Sequence, residues 1–402
     1  MKLILLLTLF LSAQAYAQDS NESQSGSEHL KSQAHESEKH GGGHGHGSGK
    51  HGDDHGEEGG MHGGGHGHGG GHGHGNGEHG DDHGHEGGMH GGGHGGGHGH
   101  KLDKTRLKQF FEPLPESIID AQKNADLIKL GKKLYLDPRL SVNDQISCNS
   151  CHSLSNFGVD NEPTSPGHEG KRGGRNSPTT MNAALHIAQF WDGRASTVEE
   201  QALGPILNAV EMGMPGADVV VKKLTAIEEY RELFTKAFPE EKNSLNYKNI
   251  GVAIGAFERT LLTPSRFDDF LKGDEDALSQ KEKRGLKKFI NMGCVTCHNG
   301  VAIGGNSYKK IGMVTSYETS DMGRYEVTKI ESDKKAFKVP SLRNITKTAP
   351  YFHDGSVETL DEAIQLMAKH QLGRDHVGHG MVRDIKAFLG ALTAKDAVKD
   401  TQ

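Results

Sequence analysis

Cysteine is scarce in this chain of 402 residues: there are four, and none stands outside two copies of one short motif. Tryptophan occurs once, at Trp191. After Leu11 no apolar run is long enough to span a bilayer, so no transmembrane helix is expected. Basic charge is not in excess, since 46 Lys+Arg face 53 Asp+Glu, and nothing in that balance suggests a nucleic-acid partner. Strand signals are sparse, because no alternating run of β-branched residues is bounded by hairpin turns. The expected class is all-α.

The cysteines lie in Cys148-Asn149-Ser150-Cys151-His152 and Cys294-Val295-Thr296-Cys297-His298. Cys-x-x-Cys-His is the attachment site of a c-type haem: the two thiols form thioethers to the porphyrin, and the adjoining histidine is placed to bind iron. A zinc ribbon would set its two pairs roughly 15–20 residues apart, whereas residues 152 to 293 separate these. A thioredoxin-like dithiol does not require histidine after each pair. Structural disulfides remain open to an exported protein. Two covalent haems would restrict the chain to redox chemistry.

Lys2, the apolar run Leu3 to Leu11 and the small residues ending Ala15-Tyr16-Ala17 predict a cleaved signal peptide over 1–17. Export to a periplasm, where c-type haems are attached, is expected. No cysteine follows the cleavage site, so no lipid anchor is expected. Residues 18–103 are dominated by Gly, His, Asp, Glu and Ser. Nineteen of the 27 histidines lie at or before His100. His51-Gly52-Asp53-Asp54-His55-Gly56 recurs at His79–Gly84, and Gly59-Gly60-Met61-His62 at Gly87–His90. With almost no large apolar residues, this extension is predicted to be disordered. Its closely spaced imidazoles, among them His51, His55, His62, His66, His79, His83, His90 and His94, suit Cu(II), Ni(II) or Zn(II). The alternative is a solvated linker. Residues 1–100 carry 4 Lys and 13 Asp+Glu, so the net charge of −7 belongs to this part of the chain.

The rest is long enough for two domains, expected at 104–262 and 263–395 with one haem motif each. Thr/Ser-x-x-Glu capping boxes at Thr197–Glu200, Thr225–Glu228, Ser279–Glu282 and Thr359–Glu362 predict helix starts. The last opens a helix with Leu360, Ile364 and Met367 on one face. Another runs through Ile250, Ile254, Phe257 and Leu261 and stops before Pro264. Gly- and Pro-rich loops fill Asp160 to Arg175 and Val301 to Gly323, and long loops of this kind commonly carry function.

Several longer motifs surround the cysteines. They are Arg175-Asn176-Ser177-Pro178-Thr179, Gln189-Phe190-Trp191-Asp192-Gly193-Arg194, Glu200-Gln201-Ala202-Leu203-Gly204-Pro205 and Val210-Glu211-Met212. Lys338-Val339-Pro340-Ser341-Leu342-Arg343-Asn344 and Ala349-Pro350-Tyr351-Phe352-His353-Asp354-Gly355 follow. In this order and spacing, residues 104 to 390 closely resemble the bacterial di-haem cytochrome c peroxidases. The resemblance implies two cytochrome c-like helical domains and reduction of hydrogen peroxide to water. The electrons would come from a small donor protein, a cytochrome c or a cupredoxin, and members are commonly homodimers.

The resemblance also implies roles. His152 and His298 would ligate the two irons. Met367, ahead of Gln371-Leu372-Gly373, would be the sixth ligand of the C-terminal haem, where Met opposite His raises the potential; His370 is a substitute. His168 would cap the N-terminal haem when oxidised and leave on activation, in a loop whose Gly167, Gly170, Gly173 and Gly174 allow a swing. Glu211 would be the catalytic carboxylate that moves a proton between the peroxide oxygens. Trp191 would assist electron passage between the haems. Calcium would take the side chain of Asn176 and the carbonyls of Thr348 and Pro350. The sequence departs at Gly304-Gly305-Asn306, where relatives often have Gly-Gly-Gln in a loop linked to activation. Two rivals are a MauG-type oxidase acting on a protein, whose relatives have Tyr where Met367 stands, and a non-enzymatic metal-buffering or electron-carrier protein.

Overall fold

A computed structural model describes residues 104–395. The signal peptide expected over 1–17 and the metal-binding extension expected over 18–103, with its eight named histidines, lie outside the described residues. What is described is helix-rich. Among the described residues the one two-stranded sheet is short and antiparallel, pairing Tyr308–Lys310 with Ala336–Lys338 in the register Tyr308 to Lys338.

Two hydrophobic clusters organise the helices. Leu130, Leu134, Ile206, Phe234 and Ile254 belong to the first, and Phe267, Leu286, Phe289 and Phe388 to the second. Leu107 and Phe111, early in the described chain, pack into the second. Each cluster is built around a helix crossing that needs glycine. The Ala125–Leu136 helix meets Tyr247–Glu258 at Gly131, where a Cβ would lie 1.8 Å from the carbonyl oxygen of Ala253. The Gln280–Met292 helix meets His379–Gly390 at Gly285, where a Cβ would lie 1.9 Å from the carbonyl oxygen of Asp384. Only hydrogen at Cα lets the backbones approach so closely.

Three of the predicted caps are present. Thr197, Ser279 and Thr359 accept the N–H of Glu200, Glu282 and Glu362 at 3.2, 3.3 and 3.2 Å. Thr225 is a correction. It is the last residue of the Ala217–Thr225 helix, its hydroxyl donates to the Val221 carbonyl at 2.7 Å, and the next helix starts at Glu228 after an uncapped Ile227. Burial of Val220 and Leu224 carries the first helix that far, so two helices abut where the spacing suggested a cap. The helix expected to reach Leu261 ends at Glu258, although Leu261 remains in the core.

Buried polar contacts join distant segments. Arg343 makes a two-pronged ion pair with Asp268, both contacts 2.9 Å, and its Nε donates to the Val301 carbonyl at 2.7 Å. Both side chains are buried, at 0% and 1% exposure, so neither charge is compensated by water. Burial alone would raise the Asp268 carboxyl. The Arg343 guanidinium and backbone donors from Leu114 and Ser265 more than offset this and hold it below the usual range. Asn182 and Asn344 both donate to Thr263 Oγ1, at 2.7 and 2.9 Å.

Candidate functional site

Each cysteine pair sits on a tight turn. In the one-turn helix Cys148–Cys151 the His152 amide donates to the Cys148 carbonyl at 2.9 Å. The hydroxyl of fully buried Tyr135 donates to the His152 carbonyl at 2.6 Å, so core packing fixes the histidine's backbone. In the second motif the Gln280–Met292 helix ends at Gly293, whose φ of 95° turns the chain directly into Cys294. There the His298 amide donates to the Cys294 carbonyl at 3.0 Å.

All four cysteines are unpaired. Burial pushes the Cys148 thiol up to about 12 and the Cys294 thiol up to about 11. A redox-active dithiol needs the opposite shift. Burial pushes both imidazoles down, His298 to about 4, which leaves them in the neutral form that ligates metal.

A cavity of about 230 Å³ is lined by Cys294, Cys297, His298 and Met367. Leu360 and Ile364 also line it, so the predicted face of the Leu360–Leu372 helix is the one that meets the cavity. His370 is engaged elsewhere, with Nδ1 3.0 Å from the Thr315 carbonyl oxygen and its ring edge-on to Tyr317. Asn176, Thr348 and Pro350 stand on the wall of the same cavity. The Nδ2 of Asn176 donates to the Glu162 carbonyl at 3.0 Å.

A second cavity, of about 170 Å³, is lined by Cys148, Cys151 and His152 together with Arg194, Gln201 and Glu211. Glu211 lies in the turn after the Val198–Leu207 helix, where Asn208 Nδ2 donates to its Oε1 at 2.9 Å. Burial raises its carboxyl above the ordinary value, against the opposing pull of Arg194 and Asn208. Trp191 lines both cavities, and its indole N–H donates to the Asn176 carbonyl at 2.9 Å.

His168 does not line the second cavity. Its amide donates to the Glu211 carbonyl at 2.7 Å, and its ring packs over Gly213, where a Cβ would lie 3.0 Å away. Gly170, Gly173 and Gly174 of the same loop face open space, while Gly167 is pressed against the Val210 carbonyl.

Sequence reading passed over three residues. Glu258 is 4% exposed and lines the second cavity, where burial and then repulsion from Glu199 push its carboxyl up to about 8. The available signal was an acid four residues after Ile254, inside an apolar helical pattern. His186 and Lys338 line the first cavity; Lys338 opens one of the longer motifs but was given no role, and His186 stands in none. The departing Gly304-Gly305-Asn306 loop abuts one of them: a Cβ on Gly305 would lie 2.3 Å from the His186 ring.

A family model described as di-haem cytochrome c peroxidase matches residues 125–276. The cytochrome c551 peroxidase of Pseudomonas aeruginosa is 45% identical over 294 residues, covering 71% of this chain and 84% of that protein. The chain belongs to the di-haem cytochrome c peroxidase family. The cytochrome c551 peroxidase of Nitrosomonas europaea is 46% identical over 285 residues, covering 70% of this chain and 84% of its own. Among solved structures, a MauG-like protein associated with microbial copper homeostasis matches with a TM-score of 0.65 at 28% identity, covering 72% of this chain and 96% of that one. Two haem c groups are the cofactors of this family. The residues present fit them, since each cavity brings together two unpaired thiols and one neutral imidazole.

Proposed function

We propose that this chain is a periplasmic cytochrome c peroxidase that reduces hydrogen peroxide to water with two protons and two electrons. The electrons come from a small redox protein, a cytochrome c or a cupredoxin. The observation that carries the reading is the division of labour between the cavities. Glu211 shares one with Cys148, Cys151 and His152, Met367 shares the other with Cys294, Cys297 and His298, and Trp191 lines both. The peroxidases of 45% and 46% identity support the same reaction. Within it, the chain comprises two cytochrome c-like domains, 104–262 and 263–395.

Haem bound through the thiols and histidines supplies the iron and the electron storage. Glu211 takes a proton from one peroxide oxygen and returns it to the departing one, a task for a carboxyl whose pKa burial has raised. Asn208 holds that carboxyl in place, and Trp191 stands on the path between the cavities. His168 would be the displaceable cap: its ring rests over Gly213, outside the lining of the second cavity, and the open surroundings of Gly170, Gly173 and Gly174 leave its loop room to move. Asn176 Oδ1 with the carbonyls of Thr348 and Pro350 forms a hard oxygen site for calcium. The protein works as a homodimer, and among the described residues no helix is long and apolar enough to cross a membrane.

The His-rich extension binds Cu(II), Ni(II) or Zn(II). Two measurements test the reading. Purified protein should carry two covalent haems by mass and oxidise two equivalents of a one-electron donor per peroxide. Deleting residues 18–100 should keep that turnover and abolish most metal uptake. One haem, or no peroxide-dependent donor oxidation, would sink the peroxidase; equal metal uptake by both forms would leave only a solvated linker.

A further inference from the structure

The wall of the larger cavity carries two lysines, Lys309 and Lys338, and among its described residues no carboxylate. The smaller cavity is different: its lining holds two arginines, Arg175 and Arg194, and two acids, Glu211 and Glu258. Lys338 is the sharper anomaly. It is 6% exposed, on the short strand Ala336–Lys338, and its backbone N–H donates to the Trp191 carbonyl at 2.7 Å. Burial pushes its ammonium down to about 8, with no carboxylate nearby to oppose the shift. Leaving such a charge unpaired in the interior is costly.

Its neighbour makes the anomaly specific. The Lys338 Nζ lies 3.3 Å from Nδ1 of His186. An ammonium only donates, so Nδ1 is the acceptor and the imidazole proton sits on Nε2. That Nε2–H is buried and finds no acceptor in the protein. The ring is seated against Gly305, whose missing Cβ leaves it room, and the Ile187 amide donates to the Gly305 carbonyl at 2.8 Å. An ammonium and an imidazole N–H thus stand together on the wall of the cavity that holds Cys294, Cys297, His298 and Met367. The Nζ sits at the Nδ1 edge of the ring and the Nε2–H leaves from the opposite side, so in this apolar cavity each donor lacks an anionic oxygen of its own. A haem brings its own carboxylates.

We infer that Lys338 and His186 form a propionate anchor for the C-terminal haem, and that the buried charge of Lys338 helps hold that haem's reduction potential high. This rests on the haem being attached at Cys294 and Cys297. A fixed cation close to the haem favours the state with one more electron, so it adds to the effect of a Met–His axial pair. The potential gap between the haems is then set by wall charge as well as by ligands. Gly305 is required because a side chain there would displace His186.

The test is a spectroelectrochemical titration of the intact di-haem protein with haem content verified by mass. Lys338→Met should keep both haems and the Met–His low-spin spectrum. Its C-terminal potential should fall by a tenfold shift in the reduction equilibrium, which is 59 mV for one electron. Lys338→Arg, which keeps the charge, should restore most of the loss. His186→Phe, which removes one donor and keeps a ring, should shift the potential the same way by a smaller amount. Wild-type protein with only one haem would overturn the attachment itself. Two haems with an unchanged potential in Lys338→Met, or an Arg variant as low as the Met variant, would overturn the charge argument alone. Should Lys338→Met fail to retain the second haem, the His186→Phe potential decides: a fall supports the anchor and no change rejects it.

Discussion

The indole N–H of Trp191 donates to the carbonyl oxygen of Asn176 at 2.9 Å, and both residues stand on the walls of both cavities. One hydrogen bond therefore fixes the orientation of the only tryptophan between two haem-binding motifs that are far apart in sequence. Trp191→Phe keeps an aromatic ring and loses the bond. It should retain both haems while slowing electron passage between them by about tenfold, equivalent to about 1.4 kcal/mol of barrier. Rapid-mixing spectra that follow re-reduction after peroxide would measure it; an unchanged rate would reduce Trp191 to packing.

Met367 shares its cavity with His298, and His370 is turned away toward Thr315 and Tyr317. Met367→His should lower the C-terminal potential, because imidazole donates more strongly than thioether. His370→Ala should leave the potential unchanged. Should the His370 variant move the potential and the Met367 variant not, the ligand assignment is reversed.

His168 rests over Gly213 with its amide on the Glu211 carbonyl. If it caps the oxidised N-terminal haem, His168→Gly should give an open, high-spin haem that reacts with peroxide without prior reduction. A six-coordinate low-spin spectrum in that variant would point to another cap.

Much of this site was legible in the sequence, and the reason differs by residue. The thiols and histidines declare themselves because attachment requires fixed spacing. Met367 follows from the resemblance, by its place ahead of Gln371-Leu372-Gly373; periodicity alone gives only that Leu360, Ile364 and Met367 share a face, the one that meets the cavity. Thr225 misled because capping and helix-ending threonines look alike until the burial of Val220 and Leu224 is known. His186 and Lys338 were not legible: 152 positions separate them, and only the fold brings their nitrogens to 3.3 Å. Glu258 gave one signal, its place in an apolar helical pattern, which was passed over because an acid within a helix is usually solvated.

Arg343 and Asp268 illustrate the same point for stability. Removing one partner strands a buried charge, so Arg343→Met should destabilise the fold by roughly 3–5 kcal/mol. Chemical denaturation of the holoprotein would read this as a lower midpoint. The double variant Arg343→Met, Asp268→Leu should recover much of the loss. A single variant as stable as wild type would mean the pair is screened by water after all.

Glu211 carries the central claim. Acting as a base toward peroxide, it must be ionised, and burial has raised its pKa. Turnover should therefore rise with pH through a value above that of an ordinary glutamate, and be lost below it. The decisive measurement is kcat/KM for peroxide against pH, in wild type and in Glu211→Gln with both haems and their spectra verified. The variant should fall by roughly 10²- to 10⁴-fold and lose the acid limb. Wild-type turnover in Glu211→Gln, or an acid limb that survives the substitution, would contradict the account.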